Sequence, residues 1–394
     1  MPIEFILFAG VLAGVALFHR YSLHIALGGA LVIAAFKIIA SPFDTGPGAA
    51  GFMDHLGHEW VILINLLLLL LGFALLAKHF EDSRVPDVLP RWLPDDWKGG
   101  FVLLVLVFVL SGFLDNIAAA MIGGAVAHTV FNKRVHIGYL AAIVAASNGG
   151  GAGSVIGDTT TTMMWIAGIS PLAVLEAYIA ATVALVVCGI PAAMQQQKYS
   201  PIQRDAGRST HIDHARLAIV GIILLSAVAV NVGVNLRYTE YANAFPFLGG
   251  AVWMAILLTA PFRKPDWSLL PAALQGSIFL LSLVLCASMM PVDTLPAASW
   301  RTTLGLGFLS AVFDNIPLTA LAIKQGGYDW GFLAYAVGFG GSMVWFGSSA
   351  GVALSNMYPE ARSVGLWLRH GWYVAVAYVL GYSVLLAALG FHPR

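Results

Sequence analysis

Apolar runs separated by short polar stretches recur along the whole chain. One runs from Trp60 to Ala77, 18 residues without a charged side chain. A helix that crosses a bilayer needs about 20 mainly apolar residues. Runs of this kind predict simple spans at 3–18, 22–40, 60–78, 171–192, 215–236, 245–262, 273–290 and 370–390. The first run has no basic stretch ahead of it and more spans after it, so it is expected to be a span and not a signal peptide.

Four segments break this pattern. Residues 99–132 are long enough for two short limbs, with Asp115-Asn116 in the middle, and residues 302–325 look alike, with Asp314-Asn315 in the middle. Residues 137–168 and 331–357 are apolar stretches interrupted by glycine clusters. Lipid-exposed backbone must stay hydrogen-bonded, so an interrupted helix at membrane depth is tolerated only inside protein or beside a watery cavity. The first pair is therefore expected to form re-entrant hairpins, and the second pair broken helices. With the eight simple spans, this makes an all-α polytopic membrane protein of about ten transmembrane segments plus two hairpins.

The order of segments is the same in both halves. Residues 1–194 predict three spans, a hairpin, a broken helix and one more span; 195–214 form a polar cytoplasmic linker; 215–394 repeat the series. Ser111-Gly112-Phe113-Leu114-Asp115-Asn116-Ile117 echoes Ser310-Ala311-Val312-Phe313-Asp314-Asn315-Ile316. The run from Gly149 to Ser154 echoes Gly340-Gly341 with Gly347-Ser348-Ser349-Ala350-Gly351. Such self-similarity predicts an internal duplication. Five crossings per half is an odd number, so the second half is expected to be inverted. Interrupted segments paired in this way point to a transporter's binding site.

Composition narrows the class. Hydrophobic residues make up 59% and charged residues 10%, against about 25% charged in soluble domains. The charge balance, 20 Lys+Arg against 20 Asp+Glu, offers nothing to attract nucleic acid. Cys188 and Cys286 lie in apolar runs and make no disulfide framework.

The few cations orient the chain. With the N-terminus outside, Arg20, Lys78, Arg84, Arg91, Lys98, Lys133, Arg134, Lys198, Arg204, Arg208, Arg216, Arg263, Lys264, Arg362 and Arg369 fall inside. Lys37, Arg237, Arg301, Lys324 and Arg394 fall outside. That bias toward the cytoplasm places both termini on the non-cytoplasmic side of a plasma or inner membrane.

Intramembrane acids carry the candidate chemistry, because an ionisable residue at that depth costs about 2.5–3.5 kcal/mol or more. Asp115 and Asp314 sit at the hairpin tips beside Asn116 and Asn315, and Asp158 follows the first glycine break. In a resuming helix, Asp158, Thr161 and Thr162 share one face, and Thr159 adds a hydroxyl. Asn148, Ser154, Ser348 and Ser349 flank or lie within the glycine clusters and add oxygens. Carboxylate, amide, hydroxyl and freed carbonyl oxygens are hard ligands that suit Na⁺ or a proton. The bland alternatives are capping by an Asp, a helix C-cap at Asn148 and close packing at the serines. His24 and His128 are expected to be packed or interfacial, Glu176 and Glu360 interfacial, and Trp165 and Trp345 core.

At these residues the chain resembles the ion transporter superfamily, and within it the NhaD-type sodium–proton antiporters. The likeness rests on Gly157-Asp158-Thr159-Thr160-Thr161-Thr162-Met163-Met164-Trp165, on both Asp-Asn tips and on the run from Gly347 to Gly351. It extends over most of the chain through the repeated layout. It implies a homodimer with a scaffold and a transport domain that moves elevator-fashion, with ions surrounded by Asp115, Asn116, Asp158, Thr159, Asp314 and Asn315. The superfamily also holds arsenite permeases and carriers of citrate and dicarboxylates.

Na⁺/H⁺ antiport is the expectation, with Asp115, Asp158 and Asp314 as Na⁺ ligands, no cofactor, and small cations and the bilayer as partners. The alternative is cation-coupled transport of a di- or tricarboxylate, or arsenite efflux. The predicted site holds no Lys or Arg, which disfavours a multiply charged anion. An intramembrane aspartyl protease is set aside, because Val155-Ile156-Gly157-Asp158 lacks its first Gly and Tyr328-Asp329 falls in a predicted loop.

Overall fold

A computed structural model describes residues 2–18, 21–88, 93–202, 211–237 and 244–394. Arg20, Arg91, Arg204 and Arg208 of the orientation argument, and 203–210 of the linker, lie outside the described residues. The secondary structure is helical. In the first half α1 is Ile3–Leu17, α2 Ser22–Ala40, α3 Gly48–Asp82, α4 Val85–Val88, α5 Trp97–Ser111, α6 Asn116–Val130, α7 Ile137–Ala152, α8 Thr159–Ile166, α9 Pro171–Leu175 and α10 Ala177–Tyr199. In the second, α11 is His214–Arg237, α12 Phe247–Thr259, α13 Leu270–Ser288, α14 Trp300–Ser310, α15 Asn315–Gln325, α16 Trp330–Gly340, α17 Ser349–Met357 and α18 Val364–Leu389.

The segments singled out by sequence become the irregular elements. Residues 99–132 fold as the α5–α6 helical hairpin and 302–325 as α14–α15, each turning just before its Asp-Asn pair. Residues 137–168 split into α7 and α8, and 331–357 into α16 and α17. The helix that restarts after each turn or break is capped by the side chain before it: Asp115 for α6, Asp158 for α8, Asp314 for α15 and Ser348 for α17. A cap supplies an acceptor to N–H groups that have no partner within the helix.

Boundaries differ where polar residues mask a helix. The predicted span 60–78 is the inner part of the 35-residue α3, whose first turns carry Asp54, His55, His58 and Glu59. The last predicted span begins earlier, at Val364, and bends at Gly371.

Helices α1–α3 and α11–α13 form one group. In it α1 packs on α2 and α11 on α12, α2 packs on α13 and α12 on α3, and α3 meets α13. Helices α5–α10 and α14–α18 form the second group, in which α7 packs on α16 and α10 on α18. Limb α6 packs on α17, and limb α15 packs on α8. Each hairpin's second limb thus meets the restarted helix of the opposite half.

Glycine permits the closest approaches. A Cβ on Gly150 would collide with the Phe108 carbonyl, and one on Gly340 with the Gly307 backbone. Among the described residues, five helices, within Ser22–Ala40, Gly48–Asp82, Pro171–Tyr199, Trp267–Ser288 and Val364–Leu389, are long and apolar enough to cross a membrane. Large apolar side chains such as Leu31, Ile39, Met254 and Leu258 point outward. An outer shell of that kind suits lipid, and the chain is a multi-pass membrane protein.

Candidate functional site

The polar centre lies where the two halves meet. Asp158 is 2% exposed. Its Oδ1 accepts the Thr160 N–H at 2.9 Å, and its Oδ2 accepts the Asn116 amide at 3.2 Å. Asn116, in the first turn of α6, shares that amide with Asn148 Oδ1 at 3.1 Å. Asn148, fully buried on α7, sends its own Nδ2 across to Ser342 Oγ and Ser348 Oγ, each at 3.0 Å. Ser348 in turn accepts the Gly351 N–H of α17 at 3.3 Å. One chain of hydrogen bonds therefore joins the first hairpin and both broken helices. Buried polar groups of this kind rigidify a site when each is satisfied.

Hydroxyls hold the breaks open. Thr161 Oγ1 donates to the carbonyls of Ser154 and Asp158 at 2.6 and 2.9 Å, and Thr162 Oγ1 to those of Val155 and Asp158, both at 2.9 Å. Ser154 Oγ donates to the Gly112 carbonyl at 2.7 Å. These three candidates thus spend their hydroxyl hydrogens on backbone freed by the interruption. Ser111 Oγ binds the Ser147 carbonyl at 2.5 Å, and Ser310 Oγ binds that of Val337 at 2.6 Å, an equivalent tie in each half.

Asp115 is half-buried and accepts the Ile117 N–H at 3.4 Å. It lines a narrow cleft with Thr159, Thr162, Ile156 and the α3 residues Leu66, Leu69, Leu70 and Phe73. Asp314, also half-buried, accepts the Ile316 N–H at 3.0 Å and the Ser349 hydroxyl at 3.4 Å. Asn315 is buried in the first turn of α15. Among the described residues, no three acidic, His or Cys side chains converge on one point. The expected set Asp115, Asp158 and Asp314 is thus spread over the starts of three helices. Asp158 alone sits in the central network.

No Lys or Arg among the described residues pairs with any of the three Asp. A buried carboxylate without a cation is costly unless a proton or a bound ion neutralises it. The arrangement therefore supplies a proton acceptor among neutral oxygens: one carboxylate, two amides and several hydroxyls.

Two site residues carry no strong sequence signal. Ser342 anchors Asn148 from the opposite half, and its only mark is its place after Gly340-Gly341. A methyl on Gly338 would stand 3.6 Å from Asp158 Oδ2, so this backbone forms one wall of the carboxylate's pocket. Of the weaker candidates, His24 is exposed, and His128 sets its ring edge-on to Tyr358 at 5.9 Å. Glu176 pairs with Arg394 at 3.0 Å, Glu360 is exposed, and Trp165 is packed in the core.

Residues 15–340 match a family model described as citrate transporter. The chain is also similar to a protein of Arabidopsis thaliana named Sodium/proton antiporter 1. The two are 26% identical over 360 residues, which cover 82% of this chain and 59% of that protein. The chain therefore spans about three-fifths of its relative's length.

Proposed function

The chain belongs to the citrate transporter family, a membrane transporter and not an enzyme, and from that premise we propose that it exchanges Na⁺ for H⁺. The observation that carries this reading is Asp158: a buried carboxylate bonded only to neutral donors, with no Lys or Arg paired to it. A group in that setting has two stable forms, protonated or beside a small cation. Competition between them for the same oxygens is sufficient for exchange. The name of the Arabidopsis relative agrees with it.

In this proposal Asp158, Asn116 and Asn148 form the ion locus. Asp115 with Thr159 lines the approach from the cleft, and Asp314 with Asn315 and Ser349 forms the counterpart on the second hairpin. The two halves are inverted repeats with re-entrant hairpins. The group of α5–α10 and α14–α18 moves elevator-fashion against α1–α3 and α11–α13, which serve as the scaffold of a homodimer. Both termini lie outside the cytoplasm, in a plasma or inner membrane.

The test is a proteoliposome with an imposed inward-acid gradient and an interior pH dye. Addition of Na⁺, Li⁺ or K⁺ outside is expected to alkalinise the interior, and Asp158→Asn to abolish the response. Full activity in that variant would sink the assignment.

One observation favours a second reading. The second half caps its restarted helix with Ser348 in place of an acid, so the cap of α17 carries no charge of its own. Helix N-termini hold anions, and the family description names citrate. If no cation elicits a response while citrate or succinate is taken up, this reading replaces the first.

A further inference from the structure

The two hairpins meet the six-helix group unequally. Asp115, at the tip of the first, borders the cleft against α3. The second is pressed onto that group. Ile316, Ala320 and Ile323 of α15 pack with Leu280 and Val284 of α13 and Leu63 and Leu66 of α3, in one apolar cluster that also holds Met163.

Lys324, in the last turn of α15, stands beside this seam. Its Nζ donates to the carbonyls of Ser288 and Met290, both at 2.6 Å, and pairs with Asp44 at 2.9 Å. Those carbonyls lie at the C-terminus of α13, where the helix dipole and unpaired C=O groups attract cations. Lys37 of α2, itself buried, holds the intervening Met289 carbonyl at 3.0 Å. His55 of α3 meets the Ser288 hydroxyl at 2.9 Å. Lys37, His55, Asp44 and α13 all belong to the six-helix side, so that cluster keeps a cation of its own. Lys324 alone reaches it from a hairpin. The first hairpin has nothing equivalent: ten residues past Asp115 stands Ala125, whereas ten past Asp314 stands Lys324.

We propose that Lys324 is a gating residue: a cationic latch that clasps the second hairpin to the C-terminus of α13 and holds that side of the molecule shut. It rests on the reading that the hairpin group moves against the scaffold. Each transport step that opens this side must pull the ammonium off the carbonyls and Asp44. Lys37 stays on Met289 throughout, so α13 does not lose its cap when the latch lets go.

The experiment places a reporter under the seam. Val284→Cys, in a chain with Cys188 and Cys286 replaced by Ala, is reconstituted in nanodiscs and its maleimide labelling rate is measured. Both faces are open to reagent, so insertion direction does not matter. Lys324→Gln is expected to speed labelling about tenfold, because it removes charge-assisted hydrogen bonds. Lys324→Arg keeps the cation and is expected to restore the slow rate. Asp44→Asn, which leaves the carbonyl contacts, is expected to have a smaller effect. The intact elution volume of each variant excludes unfolding as the cause. Equal rates in Lys324 and Lys324→Gln protein overturn the latch and leave the exchange reading standing. Lys324-dependent labelling in a chain without Na⁺/H⁺ exchange supports the latch and removes that reading instead.

Discussion

Replacing Asp158 by Asn separates charge from shape at the centre of the network. In the wild type, Asp158 Oδ1 caps α8 and Oδ2 receives the Asn116 amide. An Asn at 158 keeps the capping oxygen but turns an NH₂ toward another NH₂. The conflict is absorbed by two amide flips. Asn116 turns to accept, Asn148 turns to donate to it, and the hydroxyls of Ser342 and Ser348 rotate to donate to Asn148. The bonds of the chain from residue 158 to the serines are remade at the cost of the long one, 3.5 Å, from Ser342 Oγ to the Val144 carbonyl, and an unpaired buried carboxylate is gone, so Asp158→Asn is expected to be at least as stable as the wild type without bound ions. Asp158→Ala also lacks the charge but loses the cap, about 1 kcal/mol. It loses the Asn116 bond as well, about another 1 kcal/mol. The two variants should therefore differ by about 2 kcal/mol, measured by denaturant unfolding in mixed micelles followed through tryptophan fluorescence. Equal stability of the pair would refute the hydrogen-bond assignment. Na⁺-dependent proton movement by Asp158→Asn in proteoliposomes would refute the role of the carboxylate.

Three other outcomes are expected. Asn148→Ala deletes three buried hydrogen bonds at 3.0–3.1 Å, which at about 1 kcal/mol each should lower unfolding stability by about 3 kcal/mol; a loss below about 0.5 kcal/mol contradicts the bridge. Gly150→Ala drives a methyl into the Phe108 carbonyl, and such overpacking costs about 1–3 kcal/mol or more; a thermal scan beside Gly151→Ala and Gly10→Ala, where open space surrounds the added carbon at Gly10, should rank Gly10→Ala mildest. On the exposed side, a hydrogen bond from Arg263 holds the Asp213 carboxyl below its ordinary value of 3.8. The folded pKa is depressed, so this contribution is present above the unfolded value and fades as pH falls through the folded one. Asp213→Asn should therefore flatten the acid limb of the stability–pH curve by lowering stability slightly at neutral pH while leaving it unchanged at the acid end.

Much of the architecture is legible along the chain because it follows from local chemistry. A long uncharged run reads as a span, and the glycine-rich stretch 149–157 marks a break, which falls after Ala152, at the end of α7. An Asp beside such a break or turn caps whatever helix comes next, which is how Asp115, Asp158 and Asp314 come to hold equivalent positions. The amphipathic start of α3 was hidden because Asp54, His55, His58 and Glu59 remove the span signal while the helix simply continues.

Contacts between distant residues have no such local trace. Asn148 reaches Ser342 and Ser348 across nearly 200 positions, and nothing near either serine in the chain marks it as Asn148's partner. Each Asp is placed by the helix it caps, and the packing of α6 on α17 and of α15 on α8 decides what each faces. The same holds for Lys324. In the sequence it is one cation near a span end; only the docking of α15 against α13 sets it on the carbonyls at that helix's C-terminus. Spans, breaks and caps depend on the neighbours a residue has in the chain. Where a carboxylate finds its amide, or a lysine its helix end, depends on which surfaces the packed helices bring together.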